Sequence, residues 1–473
     1  MAQTKARIGK ASTLENPWVK DELDSIQLGD ERLDDRAGIV LDRLASRPTV
    51  SIPAACRGWA ETQAAYRFFD NEAVTDAAVL APHREAALRR IAQEPVVLLP
   101  QDGTEFDYTT KQEKIQGLGP LNDESRQGIF AHPTLALTPA RLCLGVLDAD
   151  MWVRDGLGQR DQRQKKPFDE KESRHWRDGY RLACTVAEAA PETQIVSIAD
   201  REGDIYEVFA EAQPEEGRRK AEWIIRAQHD RAVCVGDGHS QLWTQLECSA
   251  KLGTLEVNVP PSPQRKGRRA KLSVQALTIQ PRIPYRPEGK LPAVKFSAVL
   301  VREIHPPAGE EPIEWLLLTS LPVDTLAEAS RVVEYYGCRW MIEVFFRVLK
   351  TGCQVEELQL EKVERLRPCL AVKMIVAWRI LFVTWMGRTY PNLSCEVIFA
   401  PEEWKSVWSV ERSQRLPRKP PTLQEFIAMV ASLGGHLGRT QDGDPGSQTM
   451  WIGMQRMHDF ARAWLCFGPG RET

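Results

Sequence analysis

The chain has 473 residues, of which 42% are hydrophobic and 27% are charged, and its formal net charge at pH 7 is -3. This composition is typical of a globular protein of roughly two to four domains, and it excludes the disordered and fibrous classes. Because the net charge is slightly negative, any binding to nucleic acid must depend on local basic patches, and the scattered cysteines, without CxxC or zinc spacing, predict reduced thiols.

Residues 1–75 show short helical patterns and no apolar signal segment, which predicts a cytoplasmic protein of bacterial type. Helices are predicted at three places: from Pro17, from Leu28–Arg32 to about Ala45, and over Trp59–Phe69. Their arginines suit a DNA-binding head, although exposed arginines on a small helical bundle are at least as common on spacing alone. These arginines are Arg32, Arg36, Arg57 and Arg67.

Two apolar strands that follow each run into an aspartate. Val96–Leu99 leads to Asp102, and Ile195–Ala199 leads to Asp200. Between them we predict strands over 128–137 and 142–152 and a helix over 172–188, and a further helix begins near 204. Three strands followed by helix, strand and helix indicate an α/β fold. In its sheet the first three strands would pair antiparallel, and the strand after the helix would be added in parallel.

From Glu222 to about Leu321 one apolar or alternating strand follows another, separated by Pro/Gly turns, which predicts an all-β insert. One of its turns, Pro261–Lys271, concentrates five cations. Charged hairpin tips are usually just solvated, but in a protein of near-neutral net charge this one suggests contact with a phosphate backbone. The cations are Arg265, Lys266, Arg268, Arg269 and Lys271.

The helix predicted over Ala327–Lys350 carries a polar stripe on an otherwise apolar surface. Tyr336, Arg339, Glu343 and Lys350 are spaced i, i+3, i+7 and i+14, which aligns them along one face of a helix. Two cations and a phenol suit a phosphate, and the single carboxylate suits a divalent metal. An intrahelical ion-pair ladder is the competing interpretation, since Arg339 and Glu343 are also an i,i+4 pair.

The remainder of the chain, to 473, is predicted to be helical. Leu370–Met386 is apolar but carries Lys373 and Arg379, which favours a buried amphipathic helix over a membrane span. Thr422 with Glu425 forms a capping box after a stiff proline-rich linker. The last helix aligns a methionine-rich face that either packs onto the body or binds a partner. This face contains Met450, Met454, Met457, Ala461 and Trp464.

The side chains with the clearest chemistry are Asp102, Asp200 and Glu343. A helix that packs over strand ends can bring such carboxylates together, and divalent cations would relieve their repulsion. Two hard cations roughly 4 Å apart activate an attacking oxygen and stabilise the leaving oxygen of a phosphodiester. A phosphate-binding loop, a nucleophile elbow and a paired-histidine motif are absent from the sequence. A glycosidase-type pair of carboxylates would leave the basic residues unexplained.

The spacing Tyr336-x2-Arg339-x3-Glu343-x6-Lys350 resembles the signature of the IS four family of bacterial insertion-sequence transposases. DREGDIY, which begins at Asp200, resembles the block around that family's second catalytic aspartate, and the QDGTEFDY segment resembles the first. Similar segments extend over nearly the whole chain, namely LGDERL, AAYRFF, KESRHW, EWLLLTSLPV, PPTLQEF and SLGG. The resemblance implies a cut-and-paste DDE transposase with an α/β, ribonuclease-H-like core that contains a β-rich insert.

The resemblance also implies a site and a reaction. Asp102, Asp200 and Glu343 would be both the catalytic residues and the ligands of two Mg²⁺ or Mn²⁺ ions. Water would nick one strand at each transposon end, and the new 3′-OH would attack the other strand to form a hairpin. After hydrolysis of the hairpin, the same 3′-OH would join target DNA.

Contacts to DNA are implied for several further residues. Trp315 matches the family's base-stacking tryptophan, and Trp340 matches the aromatic that fills the vacated space. Tyr336, Arg339 and Arg226 match residues that clamp the neighbouring phosphate. Aromatic residues in strands and helices are mostly core, which is the alternative for both tryptophans.

Lys350 and Arg347, on the same predicted helix, complete the expected DNA contacts. The chain departs from the family pattern at Gln228, where a basic residue is expected, and at Asp34, after LGDER. We therefore expect a different terminal DNA sequence to be recognised. The carboxylates and the Tyr/Arg/Glu/Lys positions show no departure.

We expect a homodimer that acts on double-stranded DNA, both terminal inverted repeats and target, in the cytoplasm at the nucleoid and without a membrane partner. The predicted domains are a helical end-recognition domain over 1–75, a catalytic domain over 76–372 with its insert at about 222–321, and a helical dimerisation domain over 373–473. The alternatives are a catalytically inactive DNA-binding regulator and a ribonuclease-H-like nuclease without strand transfer.

Overall fold

The computed structural model describes residues 16–156, 166–215, 220–259, 267–287, 289–439 and 442–469. An 11-stranded mixed sheet runs through the described part of the chain, and a two-stranded sheet, β8 with β9, accompanies it. The strands are β1 Val96–Pro100, β2 Thr104–Asp107, β3 Gly119–Pro120, β4 Gln127–Leu137, β5 Cys143–Trp152, β6 Gln194–Ala199, β7 Glu222–Arg226, β8 Ala232–Val235, β9 Gly238–Gln241, β10 Lys251–Val259, β11 Arg268–Ile279, β12 Phe296–Glu303 and β13 Glu314–Thr319.

Helices precede the sheet, connect its central strands and follow it. The α-helices are α1 Pro17–Glu22, α2 Glu31–Ser46, α3 Ile52–Ala55, α4 Trp59–Phe69, α5 Asp76–Ile91, α6 Arg174–Ala189, α7 Tyr206–Glu211, α8 Leu242–Cys248, α9 Leu326–Gly337, α10 Trp340–Arg347, α11 Val363–Thr389, α12 Pro401–Arg412, α13 Leu423–Leu433 and α14 Ser447–Phe467. The predicted N-terminal helices are confirmed, and the predicted loop between α2 and α4 contains the short α3.

Three parallel strands at the centre of the sheet define the edge on which the candidate site lies. β6 pairs in parallel with β1 on one side and with β7 on the other. Because parallel strands end at the same edge of a sheet, the residues that follow β1 and β6 are neighbours there. Asp102 and Asp200 follow these two strands, and Arg226 is the last residue of β7.

The predicted β-rich segment is present, and its strands continue the central sheet. β7 and β10–β13 extend that sheet in the order β10-β11-β12-β13-β7-β6. The segment differs from the prediction in one respect, because it is not all β but contains helix α8. Leu242 and Leu246, one helical turn apart, are both fully buried in α8, which is the helical periodicity that the all-β interpretation overlooked.

The single helix predicted over Ala327–Lys350 is divided into α9, α10 and a π-helical turn at Val348–Gly352. Between α9 and α10 the amides of Cys338 and Arg339 donate to carbonyls three residues back, which tightens the chain into a 3-10-type turn. The predicted polar stripe therefore spans three local geometries, and its last member, Lys350, lies in the π turn.

Helix α11 is the core of the helical half of the protein. It is the one described helix that is long and apolar enough to cross a membrane, but 89% of its apolar window is buried inside the protein. The predicted burial is confirmed, whereas the predicted amphipathic character is wrong, because α11 is surrounded on all sides. The buried Lys373 and Arg379 each donate to a backbone carbonyl, those of Pro48 and Ile398.

The methionine-rich face of α14 packs onto the body of the same chain. Met450, Met454, Met457 and Ala461 are buried, and Trp464 is half-buried. Another side of α14 carries a second apolar stripe, of which the N-terminal part is half-buried and packs against the core, and the C-terminal part is exposed, with Phe467 86% exposed. We call the residues of this stripe, Ile452, Phe460, Ala463 and Phe467, the outer face of α14. The predicted domain limits at 75 and 372 stay predictions.

Candidate catalytic site and DNA contacts

The three carboxylates singled out in the sequence lie around one guanidinium. Nη1 of Arg339 donates to Oδ2 of Asp102 at 2.8 Å, and its Nη2 lies 3.5 Å from Oε1 of Glu343. Asp200 is close enough that its charge acts on both Asp102 and Arg339. The intrahelical ion pair of Arg339 with Glu343, which was the competing interpretation of the polar stripe, is present. Arg339 also bonds to Asp102 and so links the helix to the sheet.

Local hydrogen bonds fix the two strand-end aspartates. The amide of Asp102 donates to Pro133 on β4 at 3.4 Å, and one of its carboxylate oxygens accepts from the amide of Gly103 at 2.8 Å. Asp200 caps a short 3-10 turn at Arg201–Gly203, and its Oδ1 accepts from the amide of Glu202 at 2.8 Å. Both side chains are thus held at the sheet edge by the backbone that follows the strand.

The electrostatics of the site show an excess of negative charge. Burial raises the pKa of Asp102, and the neighbouring Asp200 raises it further. Arg339 opposes this effect and Glu343 adds to it, so that the pKa of Asp102 is about 7. A single guanidinium therefore does not compensate three carboxylates, and an additional cation would be stabilised here.

The donor set fits hard divalent cations, because it consists of carboxylate oxygens only. Among the described residues no group of three or more His, Cys, Asp and Glu side chains is already arranged to hold a metal ion. Arg339 lies between Asp102 and Glu343 instead. Metal binding at this position would therefore require the carboxylates to close in as the guanidinium withdraws.

A second cluster adjoins the carboxylates on the side of β7 and β13. The rings of Trp315 and Tyr336 meet edge to face with centroids 5.4 Å apart. Arg226 donates to the carbonyl of Glu314 at 3.2 Å, and burial lowers the pKa of its guanidinium while the neighbouring Tyr336 opposes that effect. Three residues that the family resemblance placed beside the scissile phosphate are thus in contact or adjacent.

The other predicted DNA contacts on this helix are distributed differently. Trp340 is 65% exposed, so the core alternative does not apply to it, whereas Trp315 is half-buried. Arg347 is exposed. Lys350 pairs with Glu356 at 3.7 Å and lies over the ring of Phe106. Lys350 is thus neutralised by an acid outside the stripe.

The basic turn is only partly described. Arg265 and Lys266 lie outside the described residues. Arg268 is paired with Glu303 and, at 2.8 Å, with Glu310, and Arg269 pairs with Glu256 at 2.6 Å. Contact of Arg268 and Arg269 with phosphate would therefore require an exchange of partners, and the third described cation, Lys271, is exposed.

In the N-terminal helices the predicted arginines are accessible to different degrees. The side chain of Arg32 is 90% exposed and pairs with Asp30, Arg67 is exposed, and Arg36 is half-buried. Sequence reasoning missed Trp59, which is 75% exposed at the first position of α4. A tryptophan so accessible on a helical head is a further candidate for contact with DNA.

Sequence reasoning also missed Gln101, which precedes Asp102 and is only 2% exposed. Its amide nitrogen donates to the hydroxyl of Ser197 on β6 at 3.2 Å, and its amide oxygen lies 3.0 Å from Nε2 of His132 on β4. Gln101 thus links the two strands that lead to Asp102 and Asp200. The only signal in the sequence is a polar residue directly after a buried strand.

Three family models match the chain, in consecutive order. They are Transposase DNA-binding over residues 15–74, Transposase DDE domain over 158–377 and Transposase Tn5 dimerisation domain over 375–464. The DDE match contains Asp200 and Glu343, and Asp102 precedes it. DDE transposase domains generally depend on divalent metals.

Solved structures are also similar to the chain. One of them is the cryo-EM structure of piggyBac transposase synaptic complex with hairpin DNA, with 8% sequence identity and a TM-score of 0.34. The alignment covers 97% of this chain and 79% of that chain.

The raised pKa of Asp102 predicts that Asp102→Asn stabilises the metal-free protein in a pH-dependent way. The unfolded pKa of an aspartate is about 3.9. Since the folded pKa is about 7, the wild type loses stability as pH rises between these values. The variant should therefore gain on the order of a few kcal/mol near pH 8 and little near pH 4.5, measured by denaturant unfolding in EDTA.

The matched control is Asp237→Asn, at an exposed turn of the β8–β9 hairpin, which should show no such gain. A stabilisation by Asp102→Asn that is the same at both pH values would contradict the assigned electrostatics.

Proposed function

We propose that this chain, a Tn5-like DDE transposase by its three domains, excises a DNA element at its two ends and joins it to target DNA. The observation that carries the proposal is the approach of Asp102, Asp200 and Glu343 to one another around Arg339. Acids at one sheet edge, an aromatic cluster and a dimerisation domain suit the chemistry of cutting and joining DNA ends. We place the reaction in the bacterial cytoplasm, at the nucleoid.

Asp102, Asp200 and Glu343 would hold two Mg²⁺ or Mn²⁺ ions, which when bound activate an attacking oxygen and stabilise a leaving oxygen of a phosphodiester. The residues themselves perform two tasks. Asp102 gives up its proton as the site is loaded, since its pKa lies near neutrality. Arg339 turns from Asp102 to a non-bridging oxygen of the phosphate, for which a guanidinium is a bidentate partner.

One site can serve all steps because each is an in-line displacement at phosphorus. In the first step a water oxygen bonds to phosphorus, and the 3′-oxygen leaves and takes up a proton. In the second step this 3′-oxygen bonds to a phosphorus of the opposite strand, whose 3′-oxygen leaves and takes up the proton, so that a hairpin closes on the element end. In the third step a water oxygen bonds to the hairpin phosphorus and displaces the element's 3′-oxygen, which leaves as 3′-OH. In the last step this 3′-oxygen bonds to a phosphorus of the target and displaces a target 3′-oxygen, which takes up the proton.

A hairpin strains the duplex at its tip, and Trp315 is the residue we propose to hold the extruded base. Its half-buried ring already packs against Tyr336, so its orientation is fixed before DNA arrives. The exposed Trp340 would fill the space that the base leaves. Arg226 and Tyr336 would bind the phosphate next to it.

Two DNA ends must be held together, and we propose that the outer face of α14 forms the homodimer contact. The methionine-rich face of α14 is buried in its own chain, so it is not available to a partner. The outer face carries apolar side chains that include the 86% exposed Phe467. The terminal inverted repeats would be bound by the N-terminal helices, which carry the DNA-binding match.

A DNA-binding regulator that does not cut is the alternative that a specific observation favours, namely the position of Arg339 between Asp102 and Glu343. A dimerisation domain that brings two DNA ends together favours strand transfer over a simple nuclease. The first experiment below distinguishes cutting from binding.

Replacement of any one of the three acids is expected to abolish Mg²⁺-dependent cleavage of terminal-repeat DNA. Asp102→Ala, Asp200→Ala and Glu343→Ala each remove a ligand, which should lower the cleavage rate by roughly 100-fold or more. Binding of end DNA in a gel shift should be largely unchanged. Asp123→Ala, at an exposed acid, is the control and should cut normally. Retained cleavage in any of the three variants would refute the assignment.

Trp315→Ala is expected to spare the first nick and to slow hairpin formation on the order of tenfold or more, since stacking of a base is worth about 1–3 kcal/mol. Trp315→Phe should retain part of the hairpin rate. Trp243→Ala, at a half-buried tryptophan of α8, should affect neither step. The ratio of hairpin to nicked product on a denaturing gel is the measurement, and equal losses in both steps would mark Trp315 as a core residue.

Ala463→Asp with Phe467→Asp is expected to prevent paired-end complexes and to leave single-end binding intact, because both substitutions place charge on exposed positions of the outer face of α14. Deletion of α14 would be uninformative, since its other face is core. Val397→Asp, at a 57% exposed valine, is the control. Sedimentation of the protein with end DNA gives the readout. Unaltered pairing of ends would show that the dimer contact lies elsewhere.

A further inference from the structure

The connection between β11 and β12 forms one wall of a basic groove on the catalytic half of the protein. The amide of Arg282 donates to the carbonyl of Ala232 at 2.8 Å, which joins this connection to strand β8. On the other side, the hydroxyl of Tyr206 donates to the carbonyl of Pro292 at 2.9 Å, which joins it to α7. The resulting open cavity has a volume of about 820 Å³.

The lining of this groove has an unusual composition. Among the described residues that form it there are four cations and one exposed aromatic, and none is Asp, Glu, Asn or Gln. Tyr285 is 87% exposed. We define the basic groove by Arg231, Arg282, Tyr285, Arg286 and Lys290. Glu288, which lies between the last two in sequence, is outside the described residues.

The cations of the groove differ in what they already contact. Arg231 is paired with Asp204 at 2.6 Å and Arg286 with Glu207 at 2.5 Å, so these two are held in place by acids behind them. The side chains of Arg282 and Lys290 are exposed at the rim. The groove therefore consists of a floor of two arginines whose charge is balanced by acids, and an exposed edge of two cations. The cations of the edge are the ones that attract a chain of phosphates.

The groove adjoins the candidate catalytic site through the backbone. β7 ends on Arg226, in the cluster beside the carboxylates, and five residues later the chain reaches Arg231. Asp204, which anchors Arg231, follows Asp200 by four residues and also accepts from the amides of Gln228 and His229. A DNA duplex bound in the groove would thus lie beside the catalytic edge of the sheet.

We infer that the basic groove binds the phosphate backbone of target DNA, an inference that rests on the proposed function. A target must be accepted with many sequences. The lining offers cations and a phenol for phosphates, and it has no amide or carboxylate side chain, which are the groups that read adenine and cytosine edges. Recognition of terminal repeats requires the opposite property. Arg282 and Lys290 bind phosphates, and the hydroxyl of Tyr285 donates to a phosphate on the same strand.

The test separates joining from cutting. Arg282→Glu with Lys290→Glu is compared with wild type in two reactions: cleavage of uncut terminal-repeat DNA, and transfer of precut ends into a supercoiled plasmid. Transfer should fall on the order of tenfold or more, with cleavage and end binding unchanged. Higher plasmid concentration or lower salt should restore the rate, because the defect lies in capture of the target. Tyr285→Ala should reduce transfer to a smaller extent.

The matched control is Lys419→Glu, at an exposed lysine of the loop between α12 and α13, which should transfer normally. Equal transfer in wild type and the double variant would overturn the inference. So would a parallel loss of cleavage and end binding, which would assign the groove to the transposon end. If the double variant fails to fold, as judged by thermal unfolding, Arg282→Gln with Lys290→Gln replaces it.

Failure of the proposed function gives a different result. A wild type that binds DNA but neither cuts nor joins would refute the proposed function. In that case a gel shift with plasmid DNA tests whether the basic groove binds DNA. The double variant should bind the plasmid more weakly than the wild type, and equal binding by the two proteins would overturn the inference.

Discussion

The site depends on the position of one cation among three acids. Arg339 reaches from the junction of α9 and α10 to Asp102 at the end of β1, and it also contacts Glu343. Without this guanidinium the carboxylates would repel one another at the sheet edge, and helices α9 and α10 would lose their polar link to the sheet. Even with this contact the negative charge of the site is not fully neutralised, since the pKa of Asp102 stays near 7. The remaining negative charge would stabilise a further bound cation.

Much of this arrangement could be predicted from local patterns. Strands β1 and β6 are short apolar runs, and the acids that follow them are apparent because charge replaces hydrophobicity at a definite point. The i, i+3, i+7 spacing of Tyr336, Arg339 and Glu343 identified the polar face of the helix. Its division into α9, α10 and a π turn was not predictable, because Gly337 and Cys338 are compatible with an unbroken helix and the local hydrogen bonds decide between the two.

Other features depend on contacts that no local pattern contains. The parallel pairing of β7 with β6 is a long-range choice, so the sequence predicted the β-rich insert but not that its strands continue the central sheet. Gln101 acquires its role only because Ser197 and His132 come to lie on either side of it. The basic groove is assembled from the segment after β7 and the β11–β12 connection, about fifty residues apart, neither of which is notable alone.

Gly352 ends the π turn that follows α10, and at this point the chain packs against the C-terminal helix α14. A Cβ atom at this position would lie 2.8 Å from the indole of Trp451 on α14. Any larger residue at position 352 would therefore have to displace this ring. The seating of α14 on the end of the π turn thus depends on a residue that has no side chain.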